Sequence, residues 1–304
     1  MARPRHAKPL IVDVKRNALD DGPGIRTTIF FKGCPLSCVW CQNPEAISPY
    51  SEIMFSPGDC IACRTCMQVC PQGAIDLDRH PSPINRALCQ RCGTCADNCP
   101  GLGMRRVGKY YSPDELLEVV AKDIPFYRNS GGGVTLSGGE ATLYPRYLES
   151  FLRGAKSLGI HIALETSGYY YQQEFQRSVL PYLDLIYFDV KILDSYLHRK
   201  YTGRSNQLIL SNLRALLEYG RVPVLPRVPL VPGITDTPEN LRVIAEFLKD
   251  IGLKKVALLP YNPMWVAKAD NLSKKTAYRY EQWMTPEQKS RCASYFSDLT
   301  LEKF

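Results

Sequence analysis

Residues 30–45 read Phe-Phe-Lys-Gly-Cys34-Pro-Leu-Ser-Cys38-Val-Trp-Cys41-Gln-Asn-Pro-Glu, a Cys-x3-Cys-x2-Cys spacing directly after a short β-type run, Thr27 to Phe31. Such a chain must deliver three thiolates into one loop at a strand's end. A cubic iron–sulfur cluster takes four ligands. A loop that gives three leaves one iron open, and an open metal position lets substrate or cofactor bind the metal directly. The rival readings are a partial zinc site and ordinary buried thiols. Structural zinc takes four ligands, and no fourth cysteine or histidine stands close by.

Eight more cysteines follow as an internal repeat. Cys60-x2-Cys63-x2-Cys66-x3-Cys70-Pro71 is followed by Cys89-x2-Cys92-x2-Cys95-x3-Cys99-Pro100. This is the run of bacterial two-cluster ferredoxins, in which the fourth cysteine ligates the other cluster. It assigns Cys60, Cys63, Cys66 and Cys99 to one cluster, and Cys89, Cys92, Cys95 and Cys70 to its twin. A pair of zinc knuckles is the alternative, though it does not require a Cys-x3-Cys-Pro ending. Of twelve cysteines in 304 residues, eleven lie between Cys34 and Cys99. Secreted disulfide scaffolds reach such density in much shorter chains, so the pattern reads as metal. The composition shift divides the chain into 1–56, an insert at 57–103, and 104–304.

The apolar runs fall short of membrane-spanning length, and the start, Met-Ala-Arg-Pro-Arg-His-Ala-Lys-Pro, has no apolar signal segment after it. A soluble cytoplasmic protein without a membrane partner is expected, as a monomer. The formal charge of +8 counts every cysteine as neutral. Three thiolate-bound clusters would bring the total to about +3. The basic residues are also dispersed, so nucleic acid is not an expected partner.

From Ser112 onward, helix-like and strand-like segments alternate. Helices are expected near 113–128, 145–158, 206–219, 238–251 and 286–297, most opening at Ser, Thr, Asn or Pro. Strands are expected at Gly133–Leu136, His161–Glu165, Leu185–Val190, Val222–Val228 and Val256–Leu259, and Thr27–Phe31 makes six. A strand-like piece, Ile11–Asp20, precedes them. Near-continuous apolar strands alternating with helices imply an α/β fold with a parallel sheet and right-handed crossovers.

The Cys34-x3-Cys38-x2-Cys41 loop with Trp40 before its last cysteine resembles the signature of the radical SAM superfamily. Asp21-Gly22-Pro23-Gly24-Ile25-Arg26-Thr27, seven residues ahead of Cys34, resembles a narrower group, the activating enzymes of glycyl radical enzymes. The activator of pyruvate formate-lyase is its best-known type; many members of the group carry a ferredoxin-like insert, which that activator lacks. The resemblance implies a partial six-stranded (β/α) barrel whose active residues sit at the C-terminal strand ends. It implies three 4Fe-4S clusters, with Cys34, Cys38 and Cys41 as the catalytic set. There S-adenosylmethionine is split by one electron to a 5'-deoxyadenosyl radical. The insert would relay electrons from a flavodoxin or ferredoxin-type donor, or serve structure alone.

Site residues follow from the same resemblance. Gly138 and Gly139, with Glu140, let backbone approach the methionine amino group, glycine avoiding a side-chain collision. Asp189, Val190 and Lys191 match the activator's Asp-Leu-Lys and hold the cofactor, and Arg227 faces it. Asn262 stands where the activator has histidine; it can hydrogen-bond but carries no charge. Glu165 and Thr166, with Asp189, match groups that bind a monovalent cation, with Glu165 one methylene longer than the activator's aspartate.

Of the four histidines, His6 lies in the N-terminal tail, His80 between the cysteine runs and His161 in an apolar strand as a packed core residue. His198, in Asp194-x3-His198-x3-Thr202-Gly203, recurs in the family without an assigned role. Cys292, far from the clusters, reads as buried or idle. Three functions compete: an activase taking a glycine α-hydrogen from a partner glycyl radical enzyme, a radical enzyme with a small-molecule substrate, and a non-catalytic electron carrier.

Overall fold

A computed structural model describes residues 8–80 and 82–302. The extreme N-terminus, His6 included, lies outside the described residues. In chain order the strands are β1 (Leu10–Ala18), β2 (Arg26–Phe31), β3 (Glu52–Phe55), β4 (Met104–Val107), β5 (Lys109–Tyr110), β6 (Gly133–Gly138), β7 (His161–Thr166), β8 (Leu185–Asp189), β9 (Val224–Leu230), β10 (Lys255–Pro260) and β11 (Thr300–Glu302). Nine form one sheet in the order β11-β10-β9-β8-β7-β6-β2-β1-β5. From β2 to β11 every pairing is parallel. Their apolar residues, such as Ile29, Val134, Leu136, Ile162, Leu164, Ile186 and Val256, are fully buried, as strands covered on both faces must be.

All six expected strands are present, and the sheet is larger than six. β11 extends the parallel set by three residues, too short a run to leave a periodic signal. On the other side β1 and β5 pair antiparallel. Edges with so few exposed backbone groups offer little for another chain to pair with.

The helices are α1 (Thr65–Gln68), α2 (Thr94–Asp97), α3 (Pro113–Ala121), α4 (Ile124–Ser130), α5 (Pro145–Ser157), α6 (Gln172–Ser178), α7 (Ser195–Thr202), α8 (Gln207–Tyr219), α9 (Pro238–Asp250), α10 (Trp265–Asn271) and α11 (Pro286–Ser294). Among the described residues none is long and apolar enough to cross a membrane. The helix expected over 113–128 is two, a correction with a local cause. Pro125 stands in the first turn of α4, where a continuing helix would lose a backbone donor. The preceding Asp123 turns its carboxylate to Arg16 and Thr27.

β3 and β4 pair antiparallel as a separate two-stranded sheet, Glu52↔Val107 through Phe55↔Met104. The cysteine repeat lies between them. Its small core of Ile53, Cys66, Ile75, Ile84, Cys95 and Met104 is distinct from the barrel's.

Candidate active site

The C-terminal ends of β2 and β6 through β10 surround one cavity of about 440 Å³, so the parallel sheet curls into an open barrel with a mouth. Cys34, Cys38, Cys41 and Trp40 line it, together with Gly138 and Gly139. Glu165, Thr166, Asp189, Lys191, Arg227 and Asn262 complete the ring. Two of the expected residues stand elsewhere. Val190 is buried behind the mouth, its backbone N–H donating to the Arg227 carbonyl at 2.8 Å. Glu140 is fully buried as well, and its carboxylate accepts from Thr142 Oγ1 (2.7 Å), Thr166 Oγ1 (2.9 Å), and the N–H (2.9 Å) and Oγ (2.6 Å) of Ser167. Glu140 ties the β6 loop to the β7 loop.

The three-cysteine loop is pinned from two sides. Gly33 and Cys34 N–H groups donate to the carbonyls of Ala46 and Ile47, and those of Ser37 and Val39 to Thr202 and Tyr201 at the end of α7. Gly139 seals the arrangement. A Cβ there would lie 2.3 Å from the Gly33 carbonyl oxygen, backbone that cannot swing away. Glycine at this position therefore serves the contact between two loops, in addition to any approach by a cofactor.

The cavity floor is an ion-pair network. Arg227 Nη1 meets Glu165 Oε1 at 2.5 Å and Nη2 meets Asp189 Oδ1 at 2.9 Å, while Lys191 Nζ lies 2.7 Å from Asp189 Oδ2. Ser137 Oγ donates to the second Glu165 oxygen. Burial acts to raise the Asp189 pKa, but the charges of Arg227 and Lys191 outweigh it and hold the carboxyl below its usual range. For Lys191 burial acts downward and Asp189, then Cys38, lift it above the ordinary value. Two cations thus balance two carboxylates in a nearly dry site. The oxygens expected for a monovalent cation, those of Glu165, Asp189 and Thr166, are engaged by Arg227, Lys191 and Glu140.

Burial pushes up the thiol pKa values of the loop: Cys34 well above the usual range, Cys38 upward, and Cys41 to about 12. Three such thiols, close enough for their charges to repel, suit a metal that takes them as thiolates and relieves that repulsion. Among the described residues no three Cys, His, Asp or Glu side chains are gathered for a single ion. A cubane distributes its thiolates over four irons and so requires a wider set. The residues fit a cluster with one open iron beside a charged cofactor.

In the insert the two halves of the repeat share one backbone form. Ala62 and Arg64 have φ of 55° and 61°, and Arg91 and Gly93, at the same offsets, 59° and 89°. Left-handed residues between cysteines curl each run about a centre, at a cost that binding must recover. Cys66 has Cys99, Cys60 and Cys63 within electrostatic reach, and Cys95 has Cys89 and Cys70 and, more weakly, Cys66 of the other set. Cys70, Cys89, Cys92 and Cys95 line one small cavity.

Residues that sequence reasoning missed include Ser137 and Ser167, which hold the carboxylates, and Gln42, whose amide donates to the Asn262 carbonyl at 3.0 Å. All three adjoin motif residues directly, but each serine acts on a glutamate from another strand, a partner that local sequence does not reveal. His198 is structural: one ring nitrogen lies 2.6 Å from the Arg204 carbonyl at the end of α7. His161 is half-buried at the start of β7, 3.4 Å from Arg26. Cys292 is fully buried in the barrel core.

An open parallel barrel that turns three thiols from one loop into the same cavity as a neutralised set of carboxylates and cations defines a cluster-bearing barrel enzyme. The profile of the Radical SAM superfamily matches residues 28–248, and the chain belongs to that superfamily. It is 38% identical over 283 residues to the trans-4-hydroxy-L-proline dehydratase activating enzyme of Clostridioides difficile, covering 92% of each chain. It is 37% identical over 270 residues to the isethionate sulfite-lyase activating enzyme of Nitratidesulfovibrio vulgaris, covering 87% of each. With the choline trimethylamine-lyase activating enzyme of Oleidesulfovibrio alaskensis it shares 41% over 273 residues, again 87% of each.

Proposed function

We infer that this protein is an activating enzyme that installs a glycyl radical on a partner enzyme. The observation that carries this reading is near full-length similarity to several activating enzymes, joined to a mouth where the thiol loop and the Asp189–Lys191–Arg227 network face one cavity. A 4Fe-4S cluster held by Cys34, Cys38 and Cys41, with S-adenosylmethionine bound beside it, would supply the one-electron cleavage and hydrogen-atom abstraction from glycine, with 5'-deoxyadenosine and methionine as the products.

The chain's own residues do the rest. Cys34, Cys38 and Cys41 hold the cluster. Lys191, Asp189 and Arg227 match the charges of the amino acid end of the cofactor, and Gly138 and Gly139 leave room for it. Glu140 acts as a positioning residue. A reactive intermediate must form where its target already waits, with water excluded. A second hollow of about 650 Å³, lined by Tyr187, Leu225, Lys255 and the Asp20–Pro23 turn, lies beneath the mouth. Tyr187, under the Arg227 guanidinium at 5.4 Å, separates the two spaces. The open mouth itself, with the thiol loop and the ion-pair network around it, is where a peptide segment would enter from outside. Glycine, lacking a side chain, can approach closely.

The insert, as 57–103 between barrel pieces 1–56 and 104–304, is assigned two further 4Fe-4S clusters with crossed ligation, fed by a flavodoxin or ferredoxin-type donor. The protein works as a cytoplasmic monomer. Its relatives serve different glycyl radical enzymes, so the partner is proposed by class alone. The test is anaerobic incubation with reductant, S-adenosylmethionine and the glycyl radical enzyme encoded beside it. A paramagnetic doublet that collapses when the glycine α-hydrogen is replaced by deuterium, with 5'-deoxyadenosine released, is the expected result. A partner that stays diamagnetic while a small metabolite is consumed would favour a small-molecule enzyme.

A further inference from the structure

The two halves of the cysteine repeat are alike in sequence and unlike in how they meet the barrel. The neck between insert and barrel is the β3–β4 ladder. Its barrel end is fixed at Glu52, whose carboxylate is 2.7 Å from the fully buried Lys32 Nζ. One rung on, Ile53 lines the cavity shared by Cys70, Cys89, Cys92 and Cys95. Cys99 and Cys60 sit at the opposite end of the ladder. Cys99 Sγ accepts from the Met104 N–H at 3.3 Å, and a Cβ on Gly103 would meet Cys60. Phe55↔Met104 lies two rungs beyond Ile53, about 7 Å farther out along the strand.

Side chains repeat the asymmetry. Arg86, three residues before Cys89, donates to the Ile53 carbonyl at 2.7 Å and to Ser273 Oγ, just beyond α10, at 3.2 Å. Ser82 Oγ meets the same Ser273 at 2.5 Å. Arg91, between Cys89 and Cys92, lies over the Tyr50 ring at 5.5 Å. In the other half the described hydrogen bonds stop at the neck: Asp59 accepts from Arg105 of β4 at 2.6 Å, and next to it Ser56 Oγ lies 3.5 Å from the Asn271 amide. A bonded route leads inward from the Cys89 half: Arg86 to Ile53, its neighbour Glu52 to Lys32, and Lys32 to the Glu45 carbonyl at 2.5 Å, four residues from Cys41.

We propose that the half held by Cys70, Cys89, Cys92 and Cys95 is the inner station of an ordered relay, that the half held by Cys60, Cys63, Cys66 and Cys99 is the outer one, and that Arg86 is the residue that fixes this order. A low-potential one-electron donor is oxidised at the outer half. The electron passes to the inner half and then to the Cys34–Cys38–Cys41 loop, with no bond made or broken. Arg86 positions the inner half and places a half-buried positive charge beside Cys89 and Cys95. The ordering rests on the cluster assignment above.

Aspartate in place of one ligand marks a cluster by its altered spectrum without removing it. Reconstituted Cys92→Asp and Cys63→Asp enzymes, reduced with titanium(III) citrate, are compared by electron paramagnetic resonance. The signal altered in Cys92→Asp should show spin relaxation quickened by the loop cluster, and the quickening should vanish when Cys34, Cys38 and Cys41 are also alanine. The signal altered in Cys63→Asp should show much less. Equal or reversed quickening overturns the order. Should aspartate fail to hold iron, Arg86→Gln keeps every ligand: it should shift the midpoint potential of one auxiliary signal, and that signal should be the coupled one. A shift in the uncoupled signal, or in none, overturns the proposal. Wild-type protein with iron for the loop alone would defeat the cluster assignment itself, and the order with it, whereas two intact auxiliary signals with the wrong coupling defeat the order alone.

Discussion

At the scale of single residues the mouth is governed by charges that have little access to water. Arg227 is flanked by two carboxylates and is among the most buried cations of the barrel. Removing one partner of such a set leaves the others buried and uncompensated, at about 3–5 kcal/mol. Arg227→Met should therefore lower the unfolding midpoint markedly as well as abolish cofactor cleavage. Arg227→Lys, which keeps charge but loses the planar fork that spans Glu165 and Asp189, should fold and bind S-adenosylmethionine weakly, as read by calorimetry. Thiol reactivity gives a second expectation. Hydroxyl hydrogen bonds from Thr65 and Thr94 lower the pKa of the exposed Cys63 and Cys92, whereas burial raises that of Cys34, Cys38 and Cys41. In metal-free protein near neutral pH, iodoacetamide should label Cys63 and Cys92 first, and mass spectrometry should find the three loop thiols labelled later than these, with fully buried Cys292 last. Labelling of the loop ahead of Cys63 and Cys92 would contradict the upward shift of its half-buried thiols.

Among the elements, α7 links core stability to the site, because its terminal carbonyls hold the Ser37 and Val39 N–H groups. It starts at Asp194, whose side chain accepts from the Leu197 N–H at 2.7 Å, and closes on His198 and Gly203. Burial lowers the His198 pKa, and burial together with Arg26 lowers that of His161. Both rings are neutral in the fold, so their contribution is complete above the unfolded histidine value of about 6.5 and is lost as pH falls through the lower folded values. The unfolding midpoint should drop between pH 7 and 5, and His198→Gln should flatten part of that slope; an unchanged slope would remove α7 from the account. Much of the barrel was legible because six apolar runs are long enough to read. The short helices α6, α7 and α10 were not; the break before α4 was marked locally by Pro125 and is reinforced by Asp123 meeting Arg16, 107 residues away. The site divides in the same way. Residues inside motifs line the mouth, while Glu140 matched its motif but is drawn away by Thr166 and Ser167 on the next strand.

On the scale of the whole molecule, barrel and insert are separate hydrophobic bodies joined by a narrow neck and a few cationic side chains. Lys274 spans the joint, donating to the Pro44 carbonyl at 2.5 Å and lying 3.5 Å from Glu52. None of the insert's cysteines lines the mouth cavity, so the residues of the mouth and those of the proposed relay are physically separate. This separation fixes what iron analysis should find. Anaerobically reconstituted protein should carry about twelve irons, four for each cluster. Alanine at Cys34, Cys38 and Cys41 should leave about eight of them and no cofactor cleavage, since the remaining clusters have no open iron. Alanine at Cys60, Cys63 and Cys66 should have the converse effect: S-adenosylmethionine binds with nearly unchanged affinity, because every residue that meets it is in place, and the rate of glycyl radical formation falls. Equilibrium binding measured beside the activation rate separates the two outcomes. If affinity and rate fell together, the insert would be shaping the mouth rather than supplying electrons, and zinc in place of iron would rule out a relay altogether.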